Sequence, residues 1–519
     1  MKTLHLLFSS LLFIFSPCVI CAWQTRDSLV LTQSETLRYA TLVNDYFMRT
    51  YPDVGAKSYV GNKERTSKIW TRGVYYEGLM SLYRQHQDER WLKYTEDWGN
   101  HHGWKASEKK QERHADFQCC GQAYLDMYML NPAQTVRKTH IKKLIDDMLA
   151  TNVVDDWYWV DAVQMAMPIF AQLGTIEKDE RYFRRMYEMY MFTRNQHGGS
   201  KKSGGLPLFN TEDGLWYRDY NYDPPYMDLK EADKPCYWSR GNGWVYMALA
   251  RVLYYSPDTV VHRQQYMDDF VLMSDALLAC QREDGFWGVS LVAPLNTGDT
   301  RSPGPETSGT ALFVAGMAYG IHAGILDRER YLPCVIRGWN AMCKVAVHDD
   351  GFLGYVQGAG AKPEDGQPVL FDRAADFEDF GIGCYLLAAA EVYQLGDVDL
   401  REPITGMDIL PEKSDNLDFS WTLSGDKLKI GVLLDTPVPV TVRLYDISGN
   451  LVKALSVQKT KTGKNEFIIS LFKESICYIC TVKTAFAIKS KKIVWKKKKI
   501  RGGIIAYCLR LLSWKPESL

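Results

Sequence analysis

The chain carries no excess of charge of either sign. Its 519 residues hold 62 Lys plus Arg and 62 Asp plus Glu, a formal net charge of zero. No global basic field draws it to nucleic acid, and no acidic excess marks a solvating chain. Long hydrophobic runs are missing beyond the N-terminus. No later stretch approaches the ~18 uninterrupted apolar residues of a membrane span, so no membrane span is expected in the mature chain. Cysteine is sparse at 12 residues, where a small domain of an oxidising compartment would be far denser in it. None pairs with histidine at metal-ligand spacing, so no metal is expected. Cys477 and Cys480 have C-x-x-C spacing, but in an alternating, strand-like stretch, which argues against a redox motif. The remaining cysteines read as buried small hydrophobes.

What is present points to a folded protein of several domains. At roughly 100–200 residues per domain the length suggests two to four. A content of 46% hydrophobic and 24% charged residues excludes wholesale disorder. Aromatics reach 13%, with 15 Trp, 31 Tyr and 20 Phe, which suits a heavy core or stacking against flat ligands. Residues 1–22 read as a secretory signal: Lys2, an apolar Leu4 to Ile20, and a cleavage site at Ile20-Cys21-Ala22. Export to the periplasm, cell surface or medium is therefore expected. Pro17 and Ile20 precede Cys18 and Cys21 where a lipidated cysteine needs a small residue, which argues against lipidation.

The pattern changes near residue 405. Before it, apolar residues recur at helical spacing in twelve blocks, from 30–50 to 374–395. After it, short alternating runs such as Lys427 to Leu434 and Val438 to Tyr445 read as strands, with a turn at Asp446 to Asn450. A weak repeat runs through the helical part: Glu212-Asp213-Gly214-Leu215-Trp216, Glu283-Asp284-Gly285-Phe286-Trp287 and Asp349-Asp350-Gly351-Phe352-Leu353 each follow a helix. The copies lie about two helices apart, which implies a repeating helix-turn-helix unit. Glycine in each copy suits a left-handed residue after a helix. Twelve helices in six hairpins close into a toroid, an (α/α)6 barrel with its loops gathered as a cup. The expected fold is this all-α toroid over 28–400, a small all-β sandwich over 415–494, and a basic tail over 495–519.

Polar groups among aromatics mark the starts of the even-numbered helices. They are Trp70 to Tyr76, His114-Ala115-Asp116, Asp155 to Asp161, Tyr237 to Trp244, and Glu306 to Gly309. Alternate helices form the inner ring of a toroid, so these clusters share one cup. A lone Asp116 reads as an N-terminal cap, as do Asp155 and Asp156. Asp161 lies in an aromatic, apolar run where a bare carboxylate is costly; burial there favours the protonated form a proton donor needs. Arg240, between Trp238 and Trp244, reads either as a stacked core arginine or as a clamp for a substrate carboxylate. Glu306 reads as a cap or as a cup residue, and His114 as a support for Asp116. Carboxylates, an arginine and tryptophans together suit a sugar-acid site, although an ordinary two-carboxylate glycosidase has the same pattern.

The segments W-T-R-G-V (70–74), H-A-D (114–116), W-V-D-A-V-Q-M-A-M-P (159–168), W-S-R-G-N-G-W (238–244) and E-T-S-G-T-A (306–311) together resemble glycoside hydrolase family 105. Its members are unsaturated rhamnogalacturonyl or glucuronyl hydrolases, and the resemblance covers roughly 28–398. It implies an (α/α)6 barrel without cofactor. The implied substrate is a lyase-generated oligosaccharide with a 4,5-unsaturated uronic acid at its non-reducing end. The implied reaction hydrates the C4–C5 double bond. By motif position, Asp161 protonates C4 and helps activate water, while Asp116 orients it and holds ring hydroxyls. Arg240, Trp238 and Trp244 form the uronate wall, and Trp70, His114, Trp157 and Trp159 complete the substrate site. Two departures leave rhamnogalacturonan, ulvan-like and arabinogalactan fragments all open. Arg218 stands where some members have a histidine, adding a second cation, and Asp155-Asp156 stands where some have His-Lys. An ordinary glycosidase or a polysaccharide lyase on the same toroid, and a glycan-binding protein without activity, remain as alternatives.

Residues 415–494 resemble the sorting domain of type IX secretion in Bacteroidetes, through Thr441 to Gly449, Gly463-Lys464-Asn465, Tyr478 and Lys491 to Val494. That resemblance implies a small β-sandwich and the secretion machinery as partner. It departs at the end, where Lys496 to Lys499 and further residues follow; that lysine run reads as a solvated tail rather than a nucleic-acid or membrane contact.

Overall fold

The computed structural model describes residues 30–61, 63–107, 112–198, 205–224, 235–292, 305–373 and 379–400, then seven strands and adjoining residues between 419 and 494. The segment 1–22 expected to be a signal, the expected turn 446–450 and the tail 495–519 lie outside the described residues. The chain divides into two compact units, the boundary falling between Glu402 and Pro403.

The first unit contains α1 (Gln33–Thr50), α2 (Trp70–Gln85), α3 (Glu89–His101), α4 (Ala115–Gln118), α5 (Gly121–Leu130), α6 (Val136–Leu149) and α7 (Val160–Glu177). It continues with α8 (Glu180–Gln196), α9 (Ser239–Tyr255), α10 (Arg263–Ala279), α11 (Thr307–His322), α12 (Arg328–Ala341) and α13 (Asp379–Tyr393). The expected fourth helix is two, α4 and α5, broken by a turn at Cys119-Cys120. A π-helical turn, Met342–Ala346, extends α12. Helices α2, α4 with α5, α7, α9, α11 and α13 pack in succession, and α13 returns to α2, closing an inner ring of six. Each packs outward on an outer helix, which is the (α/α)6 toroid.

Burial separates the two rings. Every residue of α7 from Val160 to Gly174, and of α13 from Asp379 to Val392, is buried, because inner helices face protein on all sides. Outer α3 buries one stripe only, Trp91, Tyr94, Thr95, Trp98 and Gly99. The Asp-Gly repeat is a stitch between outer helices. Gly214, Gly285 and Gly351 have φ of +69°, +88° and +95°. A Cβ on them would lie 2.8, 2.6 and 2.3 Å from the carbonyl oxygens of Leu272 in α10, Arg337 in α12 and Leu42 in α1. Only glycine allows both the left-handed turn and that approach. Four residues after each glycine, the carbonyls of Arg218, Val289 and Tyr355 accept the first N–H of α7, α9 and α11, from Val160, Ser239 and Thr307. The repeat therefore sets the register between each loop and an inner helix start.

Six short strands accompany the toroid among the described residues. β1 (Val30–Leu31) pairs antiparallel with β6 (Val398–Asp399), joining the two ends of the unit. β2 (Ser58–Val60) pairs with β3 (Lys63–Arg65), and β4 (Phe209–Asn210) with β5 (Leu215–Trp216).

The second unit holds β7 (Phe419–Ser424), β8 (Lys427–Leu434), β9 (Val440–Tyr445), β10 (Leu451–Val457), β11 (Gly463–Ser470), β12 (Cys477–Lys483) and β13 (Ile488–Val494). They form two antiparallel sheets, ordered β10-β9-β12-β13 and β11-β8-β7. Leu428, Ile430 and Val432 alternate inward along β8 and meet Val442 and Leu444 of β9, Phe467 of β11 and Val482 of β12 in one core. This is the small β-sandwich expected from the alternation. Cys477 and Cys480 both fall within β12. Described cysteines 119, 120, 236, 334, 343, 384 and 480 are buried. No helix among the described residues is long and apolar enough to cross a membrane.

Candidate active site

The starts of all six inner segments meet at one end of the toroid. Trp70 of α2 lies edge-on to Trp244 of α9, centroids 6.3 Å apart, and 5.5 Å from Phe380 of α13. The His114 ring before α4 lies 5.0 Å from Trp159, the residue before α7. Arg240 of α9 reaches Ser308 of α11 at 3.3 Å. The helix starts before α2, α7 and α9 have no side-chain cap, so their positive dipole ends face this cup.

Two carboxylates and one arginine form its charged centre. Arg218 donates from Nε to Asp161 Oδ2 at 3.0 Å and from Nη1 to Asp219 Oδ2 at 2.5 Å. Asp161 is 5% exposed. A bare Asp161 would be costly among these aromatics, and the fold brings Arg218 to it as a partner through the carbonyl bond to Val160 described above. The carboxyl that burial pushes above its ordinary range is Asp116; His114, Arg218 and Arg65 draw it down and the Asp161 charge adds to the rise. Burial works against the charge of Arg218, yet Asp161 and Asp219 outweigh it and raise its pKa. His114 caps α4 by accepting the Asp116 backbone N–H at Nδ1, 3.3 Å away. It thus supports the Asp116 turn through the backbone.

Asp116 and His114 line a cavity of about 920 Å³, with Arg65 of β3 and Asp155, Asp156 and Tyr158 from the loop before α7. Tyr158 is 44% exposed. Asp156 is no helix cap: Arg113 grips it bidentately, tying the loops before α4 and α7 together.

The motif around 238–244 behaves differently. Arg240 is 1% exposed. Its Nη1 and Nη2 each donate at 2.7 Å, to the carbonyls of Gln357 and Gly358, and its guanidinium stacks 4.7 Å from the Trp238 ring. Trp238 donates to the Gln357 side-chain oxygen at 2.8 Å. The Gln357 amide nitrogen donates in turn to the carbonyls of Lys362, Pro363 and Asp365. Glu306, wholly buried, accepts from the backbone N–H groups of Ser308, Gly309 and Gln357. Arg240, Trp238 and Glu306 therefore anchor the loop after Gly351. Of the two readings of Arg240, the stacked core arginine describes its place, because both ends of its fork are spent on carbonyls. Trp157 also lies in the core, edge-on to Phe170 and wholly buried. Trp244 is 1% and Trp159 5% exposed, while Trp70 is half-buried.

Sequence reasoning passed over Asp219, Gln357 and Asp379. Asp379 opens α13 and accepts from Ser58 and Thr71, with Arg72 at 3.5 Å. It obeys the even-helix rule, but periodicity starts that block at 374, and residues 374–378 lie outside the described residues. Gln357 carries no sequence signal, since its partners come from loops.

Among the described residues no cluster of His, Cys, Asp and Glu has a metal-holding arrangement. The curated relatives include two unsaturated 3S-rhamnoglycuronyl hydrolases. That of Formosa agariphila is 31% identical over 343 residues, covering 63% of this chain and 84% of its own. That of an Alteromonas species is 29% identical over 361 residues, covering 64% and 78%. A glycosyl hydrolase family 88 structure from Bacteroides vulgatus is 30% identical with a TM-score of 0.60, covering 70% of this chain and 99% of that one. A structure described as a polysaccharide lyase is also 30% identical, TM-score 0.60, covering 70% and 98%. A family 105 structure from Clostridium acetobutylicum, at 19% identity and TM-score 0.53, shares the fold. The sequence profile of Glycosyl Hydrolase Family 88 matches residues 39–396, and the chain belongs to that family of glycoside hydrolases.

Proposed function

We propose that the protein removes a 4,5-unsaturated uronic acid from the non-reducing end of lyase-generated oligosaccharides. The observation that carries this is the Asp116, Asp161 and Arg218 cluster at the inner-helix starts, with Asp116 lining a cavity large enough for a sugar. Arg218 engages Asp161 through Nε and Asp219 through Nη1, and its Nη2 end offers a charge-assisted contact to the uronate carboxylate. Asp161 delivers a proton to C4, and water adds its hydroxyl at C5 as Asp161 takes up the water's proton. The C5 hemiketal opens and the neighbouring sugar leaves as an alcohol. Asp116, whose carboxyl burial pushes up, orients Asp161 and the ring hydroxyls. Positive charge developing at C5 is stabilised by these carboxylates. The neighbouring sugar extends into the cavity over Tyr158. A rhamnose-linked uronate is the substrate class the named relatives favour.

The test follows the ultraviolet absorbance of the conjugated double bond in lyase digests of several polysaccharides. The wild type should remove it, and Asp161→Asn should slow its loss by about 10²–10⁴-fold. A fully active Asp161→Asn protein would refute the donor assignment. A second reading, lyase activity, is favoured by the likeness to the structure described as a lyase; it predicts that absorbance grows on intact polysaccharide.

Residues 1–22 and the β-sandwich support export, with the sandwich as a sorting element for secretion machinery. Fractionating cells that express the full chain and a chain ending at 402 tests this: retention of the shortened protein inside the cell is expected, and equal export would refute it.

A further inference from the structure

Arg218 is shared. Asp161 takes its Nε and Asp219 takes its Nη1, on opposite sides of one planar fork. Asp219 is 2% exposed, and its other oxygen accepts both the backbone and side-chain N–H groups of Asn221, at 2.8 and 2.7 Å. It is thus rigidly aimed, and nothing in the reaction described above uses it. A guanidinium paired with Asp161 alone would hold that carboxylate ionised, which opposes its delivering a proton.

We propose that Asp219 is a positioning residue that shares the Arg218 guanidinium with Asp161, holding the arginine in the cup while leaving Asp161 able to exchange its proton. This rests on the uronyl hydrolase reading for its catalytic consequence but not for its electrostatics. The other charged or titratable groups facing the cluster are Asp116 and His114 from α4, Arg65 from β3, and Tyr222 with Asp365 and Lys362 beside it. None of these bonds Arg218 as Asp219 does.

The test replaces Asp219 by Asn, which keeps an acceptor for Asn221 but turns a donor or a neutral oxygen toward Arg218. Asp219→Ser serves as a second variant should the first fold poorly. Carboxyl NMR of aspartate-labelled protein, with the Asp161 signal assigned by its loss in Asp161→Asn, reads the titration directly. We expect that signal to titrate about one pH unit lower in Asp219→Asn. The basic limb of the kcat–pH profile should move with it, costing about tenfold in kcat above the limb, and Asp219→Glu should restore part of the loss. In an Arg218→Met background the substitution should have no further effect. An unmoved Asp161 titration accompanied only by a lower Tm, or an effect that persists without Arg218, would overturn the proposal. A wild type inactive on every unsaturated oligosaccharide would refute the uronyl hydrolase reading, while the NMR comparison would still decide the role of Asp219.

Discussion

Arg72, in the first turn of α2, and Asp379, the first residue of α13, form an ion pair at 3.5 Å with both side chains wholly buried. It joins the first and last inner helices at the cup, and Ser58 and Thr71 donate to the same carboxylate. The W-T-R-G segment therefore serves ring closure as well as the cup. Asp379→Asn removes the buried carboxylate that faces Arg72, and should cost about 3–5 kcal/mol in urea unfolding of the first unit. A loss below about 1 kcal/mol would show that the pair does not seal the ring.

Arg218 and Arg240 should separate by phenotype. Arg218→Met should lower kcat/KM about ten- to a hundredfold, the worth of a charge-assisted bond, and should also lower Tm, because Asp161 and Asp219 then lie buried without that cation. Arg240→Lys cannot bridge the Gln357 and Gly358 carbonyls together; it should lower stability by about 1–3 kcal/mol. Paired measurements of Tm and kcat/KM on both variants check this.

His114 and Asp116 should together set the acid limb of the pH profile. Burial raises the Asp116 carboxyl and His114 is the largest influence drawing it down. His114→Ala removes that influence, which favours the Asp116 carboxylate. The acid limb of kcat/KM should move to higher pH, by about 0.5–1 unit for a partly exposed pair.

Glu77 lies under the cup on α2, bonded to Gln164 at 2.7 Å and to Arg251 at 3.0 Å. Burial pushes its carboxyl from 4.5 up to about 7, against the pull of Arg251. The unfolded chain then ionises first as pH rises. The contribution to stability is full below pH 4.5 and is lost as pH climbs through about 7. Glu77→Gln should flatten that fall by up to about 3 kcal/mol, measured as urea unfolding at several pH values.

Much of the architecture was legible because the inner and outer rings write different patterns. Inner helices such as α7 and α13 are apolar all round, outer ones such as α3 carry one stripe, and Gly214, Gly285 and Gly351 punctuate the outer ring at regular spacing. The even-numbered rule brought Asp116, Asp161, Trp70 and Arg240 to one end for the same reason: parallel inner helices start at the same face. The broken fourth helix was not legible, since the residues on either side of Cys119-Cys120 share one apolar period.

The sequence by itself determined the two units, the helical toroid, the alternating β-sandwich and the end of the toroid where polar groups collect. Each follows from burial periodicity and turn chemistry, which are local. Only the tertiary structure decided where the arginines point. Arg240 spends its fork on carbonyls 117 and 118 residues away, whereas Arg218, placed by the repeat's register, reaches Asp161 across 57 residues. A long flexible side chain takes its direction from whichever acceptors the fold brings within reach, and those acceptors lie on loops whose meeting no local pattern records.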